Sequence, residues 1–173
     1  RVTDAAALDV MKMIVAGQLN IDLCAELVKN GVRAVGLAGA SGPLIRATKR
    51  APKIVSGGGP DPIDFGLVGD VLGFDLELLE LIAHSGRVPV LACLGCDDHG
   101  QLLNINADTV ASQLASTLGT THLVLVTTAL GVLGDVCDPQ SRIPTLTSAQ
   151  AKQAIHDGVV TGGMIPKLEE SLA

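Results

Sequence analysis

Aromatic side chains and positive charge are both scarce in this sequence. Its 173 residues include no tryptophan, no tyrosine and only two phenylalanines, so the rings on which proteins stack unpaired bases are missing. Twelve lysines and arginines stand against 18 aspartates and glutamates, which gives a formal net charge of −6. Because nucleic acids are normally bound by a basic surface, a nucleic-acid partner is not expected.

Long apolar runs are absent as well. No stretch reaches the roughly 18 consecutive apolar residues typical of a membrane-spanning helix, so no membrane partner is expected. Arg1 opens the sequence without the apolar segment of a secretory signal. The four cysteines are therefore expected to be reduced thiols of a cytoplasmic protein: Cys24, Cys93, Cys96 and Cys137. Hydrophobic residues make up 47% of the chain, which is enough for one domain with a sizeable core.

Short apolar runs alternate with segments of helical spacing along most of the chain. Strands are predicted at 32–37, 88–94 and 122–126, and such runs, separated by helices, are typical of a parallel sheet covered on both faces. The Gly- and Pro-rich segment 38–74 instead favours β-hairpins on one side of the domain. We therefore predict a single α/β domain over residues 1–173, a three-layer αβα sandwich with a mainly parallel central sheet.

Capping residues and glycines predict where the helices begin and end. Thr3 is expected to cap a first helix that stops near Gly17, and Asn20 to open a second that stops at Gly31. Further helices are predicted at 75–86, at 106–118, from a capping box at 147–150 to residue 158, and from about 165 onward.

The segment "LLNINADTV" (102–110) is polar where its surroundings are apolar. In an extended chain Asn104 and Asn106 point to the same side, and Asp108 falls in the first turn of the next helix, beside its free N–H groups. Ligands of open α/β sheets gather at such places. Two interpretations stay open: a ligand site, or turn residues with a helix-capping Asn106 and an aspartate that complements the helix dipole.

Two later segments have features of a nucleotide site. In "VVTGGMIPKLEE" (159–170), Gly162 and Gly163 precede a helix start that carries Lys167, which suits a phosphate but also fits an ordinary turn. No Walker pattern is present. "VTTALGVLGD" (126–135) leaves a predicted strand through a loop that either contacts a nucleotide or binds nothing.

Two other motifs are interpreted structurally. "SGGGP" (56–60) lies among prolines without a strong helix start after it, which favours a flexible hairpin tip over a phosphate loop. "CLGCDDHG" (93–100) contains a C-x-x-C and His99, with Cys137 as a conceivable fourth metal ligand. Cys93 ends an apolar strand and Asp-Asp-His-Gly reads as a turn, so a metal or redox module is the minor alternative.

Four motifs together resemble a known family. They are "RVTD" (1–4), "AVGLAGASGPLIRA" (34–47), "NINAD" (104–108) and "GGMIPK" (162–167). In this order they look like the N-acetylglutamate kinases of the amino acid kinase superfamily, more than the aspartate, uridylate or carbamate kinases. The resemblance covers essentially the whole chain.

The resemblance implies a phosphoryl transfer from ATP, with Mg²⁺, to the side-chain carboxylate of N-acetyl-L-glutamate in arginine biosynthesis. Carried over, Arg1 would grip a substrate carboxylate through a bidentate fork, and Asn104 would hydrogen-bond the substrate. Asp108 would organise the catalytic lysines, and Lys167 would reach the ATP phosphates and neutralise charge in the transition state. The family also forms homo-oligomers, dimers or larger, in the cytoplasm.

The nucleotide and the substrate lid are also carried over from the family. The hairpins at about 38–74 would form part of a lid over the substrate. Nine residues would lie along the nucleotide: Thr128, Gly131, Val132, Leu133, Val159, Val160, Thr161, Gly162 and Gly163.

The sequence departs from the family pattern at several points. The family's N-terminal Lys/Gly-Gly strand, its second glycine-rich loop and its C-terminal strand region have no counterpart here, and Thr128 stands where an aspartate is usual. A chain of these residues alone is therefore expected to be inactive. The alternative function is a catalytically deficient kinase-like domain that binds ATP or an amino acid for regulation.

Overall fold

A computed structural model describes residues 2–54, 60–128, 131–135, 137–160 and 164–172, with the side chains of 166 and 170–172 excepted. These residues fall into two compact units, Arg1–Val110 and Ala111–Ala173. In this described part of the chain, no helix is long and apolar enough to cross a membrane.

The first unit opens with one uninterrupted helical stretch. Helix α1 (Ala5–Met11) continues through a π-helical segment (Lys12–Leu19) into α2 (Asn20–Lys29). The predicted cap at Thr3 is wrong, because the Asp4 carboxylate caps α1 by accepting a hydrogen bond from the Ala7 backbone N at 2.7 Å.

The predicted break between Gly17 and Asn20 is wrong as well. Asn20 has helical backbone angles and is only 8% exposed. Its side-chain Nδ2 donates to the backbone O of Val90 at 3.0 Å, so the amide binds a distant strand instead of capping a helix. The helix passes through Gly17, because a single glycine lowers helix stability by only about 1 kcal/mol and long-range contacts can offset that.

A two-stranded parallel sheet packs against α2. Strand β1 (Ala34–Ala38) pairs with β4 (Val88–Ala92) in register from Ala34 opposite Val88 to Ala38 opposite Ala92. A Cβ atom at Gly36 would overlap the Oδ1 of Asn20, so a larger residue there would displace the Asn20 side chain from its present position. Strand β4 lies within the predicted run 88–94, and β1 overlaps the predicted run 32–37 but ends one residue later, at Ala38.

A second, mixed sheet has four strands, in the order β3 (Gly69–Phe74), β2 (Ile45–Lys49), β5 (Leu94–Cys96) and β6 (Leu102–Asn104). The predicted hairpin segment supplies β2 and β3, which pair antiparallel. Strands β5 and β6 form a second antiparallel pair, and β2 joins β5 in parallel.

The predicted run 88–94 is therefore divided between the two sheets. Strand β4 ends at Ala92, and Leu94 begins β5 in the other sheet. At Cys93, between them, the backbone O accepts a hydrogen bond from the Ile105 N at 3.1 Å. The chain changes hydrogen-bonding partners there, which apolar character alone does not reveal.

The core of the first unit sits on one face of the mixed sheet. Five side chains form one buried cluster: Ile45, Ala47, Leu103, Ile105 and Val110. Alternation along a strand sends successive side chains to opposite faces. Burial of Leu103 and Ile105 therefore turns Asn104 and Asn106 away from the core.

Helices follow the predictions closely in the remaining chain. Helix α3 (Leu76–His84) begins after Asp75, α4 spans Ala107–Leu118, α5 spans Ser148–His156 and α6 spans Met164–Leu172. The predicted capping box is present: Gln150 N donates to Thr147 Oγ1 at 3.3 Å, and Thr147 N donates to Gln150 Oε1 at 2.9 Å.

The predicted strand at 122–126 is wrong. These residues form no strand, and Val124 and Val126 are 80% and 92% exposed. A strand exists only with a hydrogen-bonded neighbour, and among the described residues none pairs with this run. The α/β class itself is confirmed, with parallel and antiparallel pairings both present.

Candidate functional site

Three backbone segments meet where the "RVTD" motif approaches β6. The Thr3 N donates to the Phe65 O at 2.9 Å, and the Leu67 N donates to the Thr3 O at 2.7 Å. The Asn104 N donates to the Leu67 O at 2.8 Å, so residues 65–67 lie between Thr3 and Asn104. Gly66 has a φ of +69°, and a Cβ there would overlap the Thr3 O, so this meeting requires glycine.

A side-chain hydrogen bond spans the same place. Asn104, the last residue of β6, donates from Nδ2 to the Oγ1 of Thr3 at 3.1 Å. Thr3 is 4% exposed and Asn104 is half-buried. The two motifs, about one hundred residues apart in sequence, are thus in direct contact. Arg1, the predicted carboxylate ligand of the first motif, lies outside the described residues.

The N-terminus of α4 adjoins Asn104 along the chain. Asn106 accepts a hydrogen bond from the Asp108 N at Oδ1, 2.9 Å away, and its backbone O accepts from the Val110 N at 3.0 Å. The predicted role of Asn106 as the helix cap is confirmed. Asp108 is the second residue of α4 and is half-buried. A carboxylate in the first turn is favoured by the helix dipole.

This arrangement places two kinds of polar side-chain group within one short stretch. Asn104 contributes a half-buried amide, and Asp108 contributes a carboxylate in the first turn of α4. The backbone N–H groups of Asp108 and Val110 already donate to Asn106. An amide can hydrogen-bond a carboxylate or phosphate, while a carboxylate orients cations. The stretch can therefore hydrogen-bond part of a small polar molecule, and it contains no positive charge of its own.

The predicted nucleotide residues belong to the second unit. Thr128 is exposed, and the described loop beyond it holds a bridge between Leu133 and Arg142. The Val132 O accepts from the Ile143 N at 2.8 Å, which ties Val132 into the same loop. Gly131, the remaining predicted residue of this loop, is half-buried.

The second predicted nucleotide segment follows α5. Val159 is half-buried and Val160 is 3% exposed, and both donate backbone hydrogen bonds to the Ala154 O, at 3.0 and 3.1 Å. Three more predicted residues, Thr161, Gly162 and Gly163, lie outside the described residues. Lys167, in the first turn of α6, is half-buried.

The environment of the C-x-x-C motif affects both of its thiols. Burial raises the pKa of the Cys93 thiol, and burial, followed by the charges of Asp97 and Asp98, raises the pKa of the Cys96 thiol. Both shifts disfavour the thiolate, which is the form that metal binding and redox attack require. Within the described ranges, no group of three or more His, Cys, Asp or Glu residues could hold a metal ion.

The predicted turn after this motif is confirmed. The Asp97 Oδ1 accepts hydrogen bonds from the His99 N and the Gln101 N, both at 2.9 Å. A cleft of about 510 Å³ lies beside the turn. Arg46, Asp97 and Asp98 line it, together with Ala40, Pro43, Cys96 and Gly100, and no predicted site residue does.

Sequence reasoning missed Thr3 as a neighbour of the candidate site. Its hydroxyl was expected to cap α1, but Asp4 does so and the hydroxyl contacts Asn104 instead. A signal was available in the "RVTD" motif. Thr3 and Asp4 are both favourable N-cap residues, and because a helix needs only one, the other side chain can contact something else.

Comparison with known proteins gives consistent matches over the whole chain. A family model described as "Amino acid kinase family" matches residues 1–173. A protein named "Acetylglutamate kinase" from Anaeromyxobacter dehalogenans (strain 2CP-C) is 61% identical over 171 residues, which cover 99% of this chain and 63% of that protein. One from Sorangium cellulosum is 60% identical over 173 residues, covering 100% of this chain and 61% of that protein. The chain thus spans about three fifths of their length.

Solved structures agree on the fold. The structure of smu.665 from Streptococcus mutans UA159 superimposes with a TM-score of 0.80 at 28% identity, covering 99% of this chain and 64% of that one. An N-acetylglutamate synthase from Neisseria gonorrhoeae, complexed with coenzyme A and N-acetyl-glutamate, gives a TM-score of 0.78 at 21% identity. It covers 99% of this chain and 36% of that one, and at this identity the likeness concerns the fold alone.

Proposed function

The chain belongs to the amino acid kinase family, and on that premise we propose that the protein phosphorylates the side-chain carboxylate of N-acetyl-L-glutamate with ATP. Relatives that are 60–61% identical over nearly the whole chain carry the name acetylglutamate kinase. Their names support the kinase activity and do not favour a catalytically deficient regulatory domain.

The observation that carries the proposal is the hydrogen bond between Thr3 and Asn104. It joins the "RVTD" motif to the "NINAD" motif beside the N-terminus of α4. In the proposed complex Asn104 hydrogen-bonds the acetylglutamate, and Arg1 forms a bidentate pair with one of its carboxylates. The hairpin region at about 38–74 is proposed as part of a lid over this substrate.

Phosphoryl transfer requires positioning and positive charge more than a covalent nucleophile. In the proposed step, an oxygen of the side-chain carboxylate bonds to the γ-phosphorus of ATP. The bond from that phosphorus to the β–γ bridging oxygen breaks, and ADP leaves with the electron pair. Asp108 is proposed to orient cationic side chains, and Lys167 to neutralise the charge that develops on the transferred group.

The nucleotide is proposed to lie along residues 128–133 and 159–163. Mg²⁺ would accompany it, because this ion commonly binds through substrate phosphates and keeps several waters instead of occupying an all-protein cage. When bound, Mg²⁺ supplies charge neutralisation at the phosphates.

The wider setting is also a proposal. We place the protein in the cytoplasm, in arginine biosynthesis, as a homo-oligomer without a nucleic-acid or membrane partner. Light scattering after size-exclusion chromatography measures the oligomeric state, and a monomer at micromolar concentration would contradict the self-association.

Trapping of the acyl phosphate with hydroxylamine tests the activity, using the longest form of the protein that its gene encodes. The wild type should form the product with N-acetylglutamate and ATP, and D108N and K167A should lower the rate by about a hundredfold or more. Glu77→Gln, in the first turn of α3, and Lys152→Ala, exposed on α5, remove the same charges elsewhere and should leave the rate unchanged.

Full activity in both site variants would overturn the residue assignment. Calorimetric binding of ATP or N-acetylglutamate without any turnover by the wild type would overturn the kinase proposal and favour the regulatory alternative. The expected inactivity of a chain containing residues 1–173 alone stays a prediction, and the same assay on that chain checks it.

A further inference from the structure

Among the described residues, the side chain of Asn104 makes one recorded hydrogen bond. Its Nδ2 donates to the Thr3 Oγ1 at 3.1 Å, and within the described ranges the structure records no other side-chain hydrogen bond for it. An asparagine amide offers two N–H donors and an oxygen with two lone pairs. The Oδ1 and the second N–H of this half-buried amide have no recorded side-chain partner among the described residues, so they can bind a ligand.

Thr3 holds its hydroxyl in a rigid setting. Its backbone is hydrogen-bonded on both sides, through N to the Phe65 O and through O to the Leu67 N. Its side chain is 4% exposed and β-branched, so rotation about χ1 is restricted. The hydroxyl also has no part in capping α1, since Asp4 fulfils that role.

We infer that Thr3 is a positioning residue, whose hydroxyl fixes the plane of the Asn104 amide so that its free groups face the acetylglutamate. The inference rests on the proposed function. An amide without this partner rotates about χ2. Substrate binding must then also order the amide, and this loss of conformational entropy weakens the binding. The effect falls on substrate affinity, because the amide is fixed equally in the ground state and in the transition state.

Two substitutions separate the hydroxyl from the rest of the side chain. Thr3→Val removes the hydroxyl and keeps the β-branched shape and both backbone hydrogen bonds. Thr3→Ser keeps the hydroxyl and removes the methyl group. With T3V we expect KM for N-acetylglutamate to rise roughly threefold to tenfold, with kcat and KM for ATP unchanged, while T3S stays near the wild type.

The same substitution in a variant that lacks Asn104 tests whether Thr3 acts through Asn104. If the hydroxyl acts through Asn104, adding T3V to N104A should not raise KM for N-acetylglutamate any further. A merely structural role of Thr3 would instead raise both KM values together or lower the melting temperature, without rescue by serine.

An active wild type whose KM for N-acetylglutamate is unaffected by T3V would overturn this inference alone. Equal effects of T3V with and without Asn104 would overturn it as well. A wild type that forms no acyl phosphate would overturn the proposed function first, and the two failures are thereby distinguished.

Discussion

The two units of the chain differ in how much of their secondary structure depends on contacts between residues distant in sequence. In residues 1–110, apolar strands find partners far along the sequence, such as β1 with β4, and polar side chains such as Asn20 and Asn104 bond across long separations. In residues 111–173, helices α5 and α6 form, but the apolar run at 122–126 stays exposed and unpaired among the described residues. Helices carry their own hydrogen bonds and strands do not.

An apolar run can form a strand only if a neighbouring segment accepts and donates its backbone hydrogen bonds. The sequence of the run itself does not show whether such a segment is present. The capping box at Thr147–Gln150 needs only four residues, so α5 begins where predicted. A strand at Val124 needs a second segment, and no described residue supplies one.

The largest expected effect contrasts the buried and the exposed apolar residues. Leu103→Ala should lower the free energy of unfolding by about 2–5 kcal/mol, because Leu103 is fully buried in the core of the first unit. Val126→Ala should change it by less than about 0.5 kcal/mol, because Val126 is 92% exposed. Urea unfolding measures both, and similar losses in the two variants would break the contrast.

A glycine in each unit gives the second comparison. Gly66 and Gly158 both have positive φ, +69° and +72°, but a Cβ at Gly66 would overlap the Thr3 O while one at Gly158 meets open space. Gly158→Ala should cost about 1–2 kcal/mol of strain. Gly66→Ala should cost at least about 1 kcal/mol more and also raise KM for N-acetylglutamate. Equal losses in thermal or urea unfolding would argue against the close approach at residue 66.

The local helix start of the second unit should give a smaller effect. Thr147→Ala removes the side-chain cap of α5 and should lower the free energy of unfolding by about 1 kcal/mol. Thr147→Ser keeps an acceptor oxygen and serves as the control. An alanine variant as stable as the wild type would show that the cap contributes nothing in this helix.

Thiol chemistry should distinguish the units without altering the fold. Burial raises the pKa of the Cys93 and Cys96 thiols of the first unit, so at neutral pH they hold less thiolate than an ordinary cysteine. Cys137 of the second unit is exposed. Iodoacetamide followed by mass spectrometry should modify Cys137 first, with Cys93 and Cys96 becoming more reactive as the pH rises. Preferential labelling of Cys93 or Cys96 at pH 7 would contradict their protonated state.

Prediction from sequence worked best where a feature is determined within one turn. Asp75 before α3, Asn106 before α4 and the capping box before α5 were all identified from a few adjacent residues. It was wrong where a polar side chain serves a distant partner. Thr3 and Asn20 look like caps in sequence, but Asn104 and Val90 bind them, and these partners cannot be read from local spacing.

The candidate site was predicted as a set of motifs, and the structure shows a contact between two of them, "RVTD" and "NINAD". The structure confirms Asn106 as a cap and brings Thr3 to Asn104, and the second of these contacts could not be derived from periodicity. The catalytic roles of Asp108 and Lys167 came from the family resemblance and stay predictions. These roles depend on how the two side chains are placed around a bound substrate. Neither residue spacing nor helix capping contains that information.

The proposed acceptor of the phosphoryl group is the side-chain carboxylate of N-acetyl-L-glutamate. The most direct measurement is an NMR spectrum of the full-length protein turning over MgATP with substrate carrying ¹³C at that carboxyl carbon. We predict a new carboxyl signal split by coupling to ³¹P, appearing as ADP forms. An unchanged ¹³C signal, or release of free phosphate while the carboxyl carbon stays uncoupled, would contradict the account.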